Sequence, residues 1–160
     1  MDDLLPLADR IAARLKARGE TLCVCESSTG GLISAALVAV PGASAFYLGG
    51  SVVYTHASRR GLMQVPDEAF ANGLRASTEA YALLMAKAAR ERTGAVWGLA
   101  ETGASGPDGN RYGDAAGHSC LAVAGPVEKA ITLETGHGDR IANMRAFSLA
   151  ALGLLAEALG

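Results

Sequence analysis

The sequence predicts an α/β fold: a three-layer α/β/α sandwich on a mixed, mostly parallel sheet of about five strands. Three observations carry that expectation. Short apolar segments alternate along the chain with alanine-rich stretches of helical length. Two late apolar segments meet at Gly125-Pro126, which reads as an antiparallel hairpin and makes the sheet mixed. No internal repeat, low-complexity tract or linker interrupts the 160 residues, so one domain over 1–160 is expected.

Leu4, Leu7, Ile11 and Leu15 recur at helical spacing with charged residues between them, which predicts a surface helix. Asp2 or Asp3 is placed to cap it, Pro6 suits its first turn, and Gly19 ends it. Residues 21–25 read as a strand and residues 29–40 as a buried helix. A second strand is expected over 51–55, after the Gly49-Gly50 pair. Residues 77–92 form a stronger helix, with a cap from Ser77 or Thr78 and with Tyr81, Leu84, Met85 and Ala88 on one side. The third strand is 95–100, and the hairpin pairs 117–124 with 127–135. Ile141, Met144, Phe147, Ala151 and Leu155 recur along a last helix, which runs from Gly138-Asp139 to about residue 158.

Composition narrows the function. Fourteen basic residues stand against sixteen acidic ones, with no basic run or stripe, so a nucleic-acid partner is not expected. The start, Met1-Asp2-Asp3, is acidic where a secretion signal is basic, and no apolar run of membrane-spanning length is read. A cytoplasmic protein without membrane partners is the expectation. Three cysteines without Cys-x-x-Cys spacing read as buried, reduced thiols, and no metal site is expected.

The chain is organised around Cys25-Glu26-Ser27-Ser28-Thr29-Gly30-Gly31, a strand, tight turn and helix start. Ser27, Ser28 and Thr29 carry side chains that cap helices, and Gly30 and Gly31 let backbone approach a ligand. An oxygen nucleophile or an anion suits this turn; a plain helix cap is the bland alternative. A second chemical feature is the loop 102–109, Thr102-Gly103-Ala104-Ser105-Gly106-Pro107-Asp108-Gly109, at the carboxyl end of a strand where open α/β sheets bind ligands. Pro-Asp-Gly alone is also an ordinary turn. The third is Tyr54-Thr55-His56-Ala57-Ser58-Arg59-Arg60, with groups for proton transfer and anion binding, although solvated loop residues fit His56 and Arg60 as well. The fourth is Gly138-Asp139-Arg140 with Arg145 beyond it. Arg140 suits a phosphate or carboxylate, or a surface pair with Asp139 or Glu134.

Glu26-Ser27-Ser28-Thr29-Gly30-Gly31, Tyr54, Ser105-Gly106-Pro107-Asp108-Gly109 and Gly138-Asp139-Arg140 occur in the order and spacing of the CinA C-terminal domain family, which the whole chain resembles. That family includes stand-alone nicotinamide mononucleotide deamidases, and the chain looks like this single-domain form.

The resemblance implies hydrolysis of the carboxamide of nicotinamide mononucleotide to nicotinic acid mononucleotide and ammonia, a step of pyridine nucleotide salvage, with a small nucleotide as substrate and no cofactor. It assigns Ser27 as nucleophile, Tyr54 to proton transfer and Arg59 to the position of a catalytic lysine. Amides of residues 28–31 would hold the oxyanion, the loop 102–109 would line the pocket, and Arg140 or Arg145 would receive the phosphate. Ser28, Thr29, Gly30, Gly31, Thr102, Gly103, Ser105, Gly106 and Asp108 are thus the expected binding residues, with Arg140 and Arg145. The chain departs from the pattern at Arg59, which unlike lysine cannot serve as a base, at His56, and at Asp114-Ala115-Ala116, where a lysine-proline pair is usual. A second reading follows: a catalytically weak, competence-associated member that binds a nucleotide or protein partner. Apolar, alanine-rich helix faces permit a homo-oligomer.

Overall fold

The structure, a computed structural model, describes residues 1–160. Five strands are formed: β1 (Leu22–Glu26), β2 (Tyr47–Val52), β3 (Trp97–Ala104), β4 (His118–Ala124) and β5 (Lys129–Glu134). They lie in the order β2-β1-β3-β4-β5. β1 runs parallel to both β2 and β3, whereas β3–β4 and β4–β5 are antiparallel, so the mixed sheet has two pairings of each kind.

Helices α1 (Leu5–Arg18), α2 (Leu32–Val38) and α5 (Arg140–Leu159) cover one face, and α4 (Glu79–Thr93) covers the other. Period-two alternation sorts the side chains. Leu22 and Val24 of β1 join Leu99 of β3 in the core beneath α2 and α5. Cys23 and Cys25 join Ala100, Cys120 and the small side chains of α4 in the other core. All three cysteines are free and buried. The α4 layer sits very close: a Cβ on Gly98 would lie 2.0 Å from the carbonyl oxygen of Ala86.

Several elements differ from the sequence expectation, each for a local reason. β3 continues to Ala104 because its ladder with β4 reaches the Ala104–His118 pair, so Thr102 and Gly103 are strand residues, not loop. β2 begins at Tyr47 because the Gly49-Gly50 pair belongs to the strand. A side chain at Gly50 would meet the hydroxyls of Ser34 and Tyr47, 2.4 Å away. α1 has no side-chain cap from Asp2 or Asp3; Asp3 pairs with Arg145 at 3.2 Å instead. α2 starts three residues later than expected, after Gly31 in the left-handed region (φ 103°). α5 is long and apolar enough, by length and hydropathy, to span a membrane. It is nevertheless a core helix, with Phe147, Ala151, Leu152 and Leu155 fully buried against the sheet and α1.

Candidate functional site

Two buried carboxylates organise the carboxyl ends of β1 and β3. Glu26 closes β1 and is fully buried. Its carboxylate accepts the main-chain N–H groups of Gly31, Ile33 and Ser34 at 3.0, 3.1 and 2.8 Å, and the Ser34 hydroxyl at 2.6 Å. Glu26 therefore satisfies the free N–H groups at the start of α2, the work expected of Ser27, Ser28 or Thr29. A carboxylate reaches several donors at once, where a hydroxyl reaches one.

Glu101, on the neighbouring strand, is 2% exposed. It accepts the main-chain N–H groups of Ser27 and Thr29, both at 3.0 Å, together with the hydroxyls of Ser28 and Ser119. The Thr29 hydroxyl lies between the two acids, 2.8 Å from Glu26 and 3.0 Å from Glu101. Burial pushes the Glu101 carboxyl up, against the lowering effect of its Ser28, Thr29 and Ser27 donors.

The amides expected to hold an oxyanion are consequently mostly in use. Thr29 donates to Glu101, Gly31 to Glu26, and Gly30 to the Ser27 carbonyl at 3.2 Å. Only the Ser28 N–H makes no hydrogen bond. The side chains of Ser28 and Thr29 are buried on the acids rather than turned to a ligand.

Ser27 differs from its neighbours. It is half-buried, its hydroxyl makes no hydrogen bond within the chain, and it lines a cavity of about 720 Å³. Thr102 and Gly103 line the same cavity from β3. The far wall is the segment after β2. Thr55 caps a one-turn helix, α3 (His56–Ser58), through a reciprocal pair with Ser58, and a π-turn over Arg59–Met63 continues from it.

Arg59 is 5% exposed, stacks on Phe70 with its guanidinium carbon 3.8 Å from the ring centroid, and is ion-paired to Asp67. Always charged and already paired, it cannot take a proton from Ser27. Tyr54 lines the cavity but is 60% exposed, and its hydroxyl accepts from Arg140 at 2.9 Å.

Other expected binding residues lie elsewhere. Arg140 donates to the carbonyl of Gly106 and to Tyr54, and is paired with neither Asp139 nor Glu134. Arg145 is on the α1 side, against Asp3, and does not reach the cavity. Ser105, Gly106 and Asp108 are not among the cavity-lining residues. Ser105 is buried with its carbonyl on Asn143, and Gly106 packs against Gly138, where a Cβ would come within 2.5 Å of the carbonyl oxygen. Asp108 is exposed at the turn. Gly30 is exposed and Gly31 half-buried at the start of α2. Residues 105–108 lie outside the cavity lining and pack on the start of α5, where the Ser105 and Gly106 carbonyls accept from Asn143 and Arg140.

Sequence reasoning passed over Glu101, Arg75, Ser77, Asn110, Arg111, Tyr112 and His118. Ser77 lines the cavity in the left-handed region (φ 59°), a strained position for a non-glycine residue. Two contacts hold it. Its N–H donates to the Thr102 hydroxyl at 3.2 Å, and its carbonyl receives His118 Nε2 at 3.0 Å. His118 is in turn paired with Glu134. Arg75 holds Asp114 by two bonds of 2.6 and 3.0 Å and draws the segment 110–114 against the cavity.

The profile of the CinA C-terminal domain family matches residues 4–159, nearly the whole chain. This chain belongs to that family. A CinA-like protein of Anaeromyxobacter dehalogenans is 41% identical over 154 residues, 96% of this chain. The chain spans 37% of that relative's length, about a third. A crystal structure of a competence-damaged protein (CinA) superfamily member from Klebsiella pneumoniae superposes with a TM-score of 0.90 at 31% identity, covering 98% of this chain and 97% of that one. A competence/damage-inducible protein from Agrobacterium tumefaciens gives 0.87 at 31% identity, covering 98% and 95%. In this CinA C-terminal domain the family's Glu-Ser-x-Thr-Gly-Gly stretch is thus a carboxylate-anchored turn, with Ser27 as its cavity-facing member.

Proposed function

We propose that this chain is an amidohydrolase of the cytoplasm. It hydrolyses the carboxamide of nicotinamide mononucleotide, giving nicotinic acid mononucleotide and ammonia for pyridine nucleotide salvage. The observation that supports the reading most is the Ser27 hydroxyl, free of internal partners, opening on a cavity lined by four arginines, Arg59, Arg60, Arg75 and Arg111. Such a cavity suits an anionic nucleotide.

In this reading Ser27 Oγ attacks the carboxamide carbon and its proton passes to a neighbouring base. The tetrahedral oxyanion is met by the Ser28 N–H, which makes no hydrogen bond within the chain, and by the hydroxyl proton of cavity-lining Thr102, whose oxygen accepts from Ser77. The C–N bond breaks, nitrogen leaves as ammonia with the added proton, and water releases the acyl group from Ser27 as a carboxylate. Arg59 positions and neutralises charge without moving a proton. Tyr54 is the candidate base, because the Nε2 lone pair of His56 is taken by Arg111.

The experiment is ammonia release from nicotinamide mononucleotide, with chromatographic detection of the acid product, across a panel of pyridine nucleotide amides. One observation favours a second reading, a nucleotide-binding member with weak turnover. Arg59 occupies the position of the family's usual lysine and is fixed by Asp67 and Phe70. Tight nucleotide binding without ammonia release would select that reading.

A further inference from the structure

We propose that Arg111, in contact with His56 in the cavity lining, forms a subsite for a phosphate monoester. The inference deepens the nucleotide reading above and rests on it for the rest of the substrate, but not for its own test.

The charges around the cavity are unevenly neutralised. Arg75 is fully engaged by Asp114, and Arg59 and Arg60 share Asp67, Arg60 at 3.1 Å. Arg111 has no carboxylate partner. Its Nη2 lies 2.7 Å from His56 Nε2 and 2.9 Å from the Tyr112 hydroxyl. A guanidinium only donates, so His56 Nε2 is the acceptor in that contact. Four arginines thus line the cavity, Asp67 and Asp114 pair with three of them, and the uncompensated charge is that of Arg111, beside His56.

Arg111 is also held in place. The Asn110 side-chain oxygen accepts the N–H groups of Tyr112 and Asp114 at 3.0 and 3.2 Å, and its amide donates to Asp114 at 2.8 Å. Asp114 is clamped by Arg75, so the turn that presents Arg111 is braced from both sides. A guanidinium delivered by a rigid turn, without a counter-ion and beside an imidazole, is suited to a doubly charged phosphate. The same position carries no such role for Arg145, which is paired to Asp3, or for Arg140, which is outside the cavity lining.

The test is calorimetric titration of four ligands: nicotinamide mononucleotide, nicotinamide riboside, ribose 5-phosphate and inorganic phosphate. The proteins are the Ser27→Ala protein and the same protein carrying Arg111→Gln, Arg140→Gln or Arg145→Gln. Because no turnover is needed, the outcome is independent of whether the chain is a hydrolase. Loss of one charge-assisted phosphate contact corresponds to a drop of roughly ten- to a hundredfold. We expect Arg111→Gln to weaken both phosphate esters by that factor, to leave the riboside unchanged, and Arg145→Gln to change nothing. Inorganic phosphate that binds as tightly as the esters and is equally sensitive to Arg111→Gln would support the anion subsite with free phosphate as its occupant. Ester binding unchanged in Arg111→Gln, or lost in Arg140→Gln alone, would overturn the proposal, as would an equal loss of riboside affinity.

Discussion

The carboxylate of Glu101 accepts the main-chain N–H of Ser27 at 3.0 Å, across 74 positions of sequence. The turn that presents Ser27 is therefore fixed from the neighbouring strand as well as from its own helix. With Thr29, Ser28 and Ser119 also bound to Glu101, the acid is the common acceptor beneath the turn.

Glu101→Ala would leave two main-chain N–H groups and two buried serine hydroxyls, Ser28 and Ser119, without that acceptor. We expect a loss of about 2–4 kcal/mol, read as a lower denaturant midpoint at unchanged slope. Glu101→Gln keeps one oxygen acceptor and has the milder effect. Its stability also rises relative to wild type as pH increases. The Glu101 carboxyl is raised by burial, so its contribution is fully present below the ordinary glutamate range and is lost as pH rises through the folded value. A wild-type advantage that grows with pH would contradict this.

His118 gives a second pH signature. Burial lowers its pKa, but the hydrogen bonds to Glu134 and the Ser77 carbonyl, with the charges of Glu134 and Asp114, more than offset this, and the net shift is upward. A raised histidine stabilises most below its unfolded value, about 6.5, and loses that contribution as pH rises through the folded one. Thermal melts of wild type and His118→Gln from pH 5.5 to 8.5 should show the wild-type advantage shrinking with pH. Because His118 holds Ser77 against the cavity, KM should rise in the variant even where the fold is intact.

Gly98 tests the closeness of the α4 layer. An added methyl would collide with the Ala86 carbonyl, which belongs to a helix backbone and cannot swing aside. Gly98→Ala should cost about 1–3 kcal/mol by overpacking. Gly153→Ala, where the added Cβ meets nothing within 4 Å, should be neutral or stabilising in the same unfolding assay.

Arg59→Lys should convert a fixed cation into a titratable one. If Arg59 only positions charge, turnover changes less than tenfold and its pH profile keeps its shape. A new basic limb, with faster turnover, would identify the lysine as the missing base.

Much of the architecture was legible because it is written in local patterns. The strand, turn and helix around Ser27, the 3.6-residue stripe of α5 and the hairpin at Gly125-Pro126 all depend on neighbours in sequence. The site was only half legible. Glu26 stood in a recognisable motif, yet its hold on three α2 amides required the strand end to sit under the helix. Glu101 had no local signal, because its partners are more than seventy positions away or, in Ser119, on an adjacent strand. Sequence could not show that α5 turns Arg145 toward Asp3, or that Ser105 and Gly106 face the start of α5 and lie outside the cavity lining. Arg111 was invisible as a site residue until Asn110, Asp114 and Arg75 brought its turn to the cavity.

The central claim is that the Ser27 hydroxyl attacks the amide, and rapid-quench intact-mass analysis of enzyme mixed with nicotinamide mononucleotide tests it most directly. We predict a transient mass increase that maps to Ser27, together with ammonia release that falls at least a thousandfold in Ser27→Ala while nucleotide binding persists. Undiminished ammonia release from the Ser27→Ala protein, or an adduct on another residue, would contradict the account.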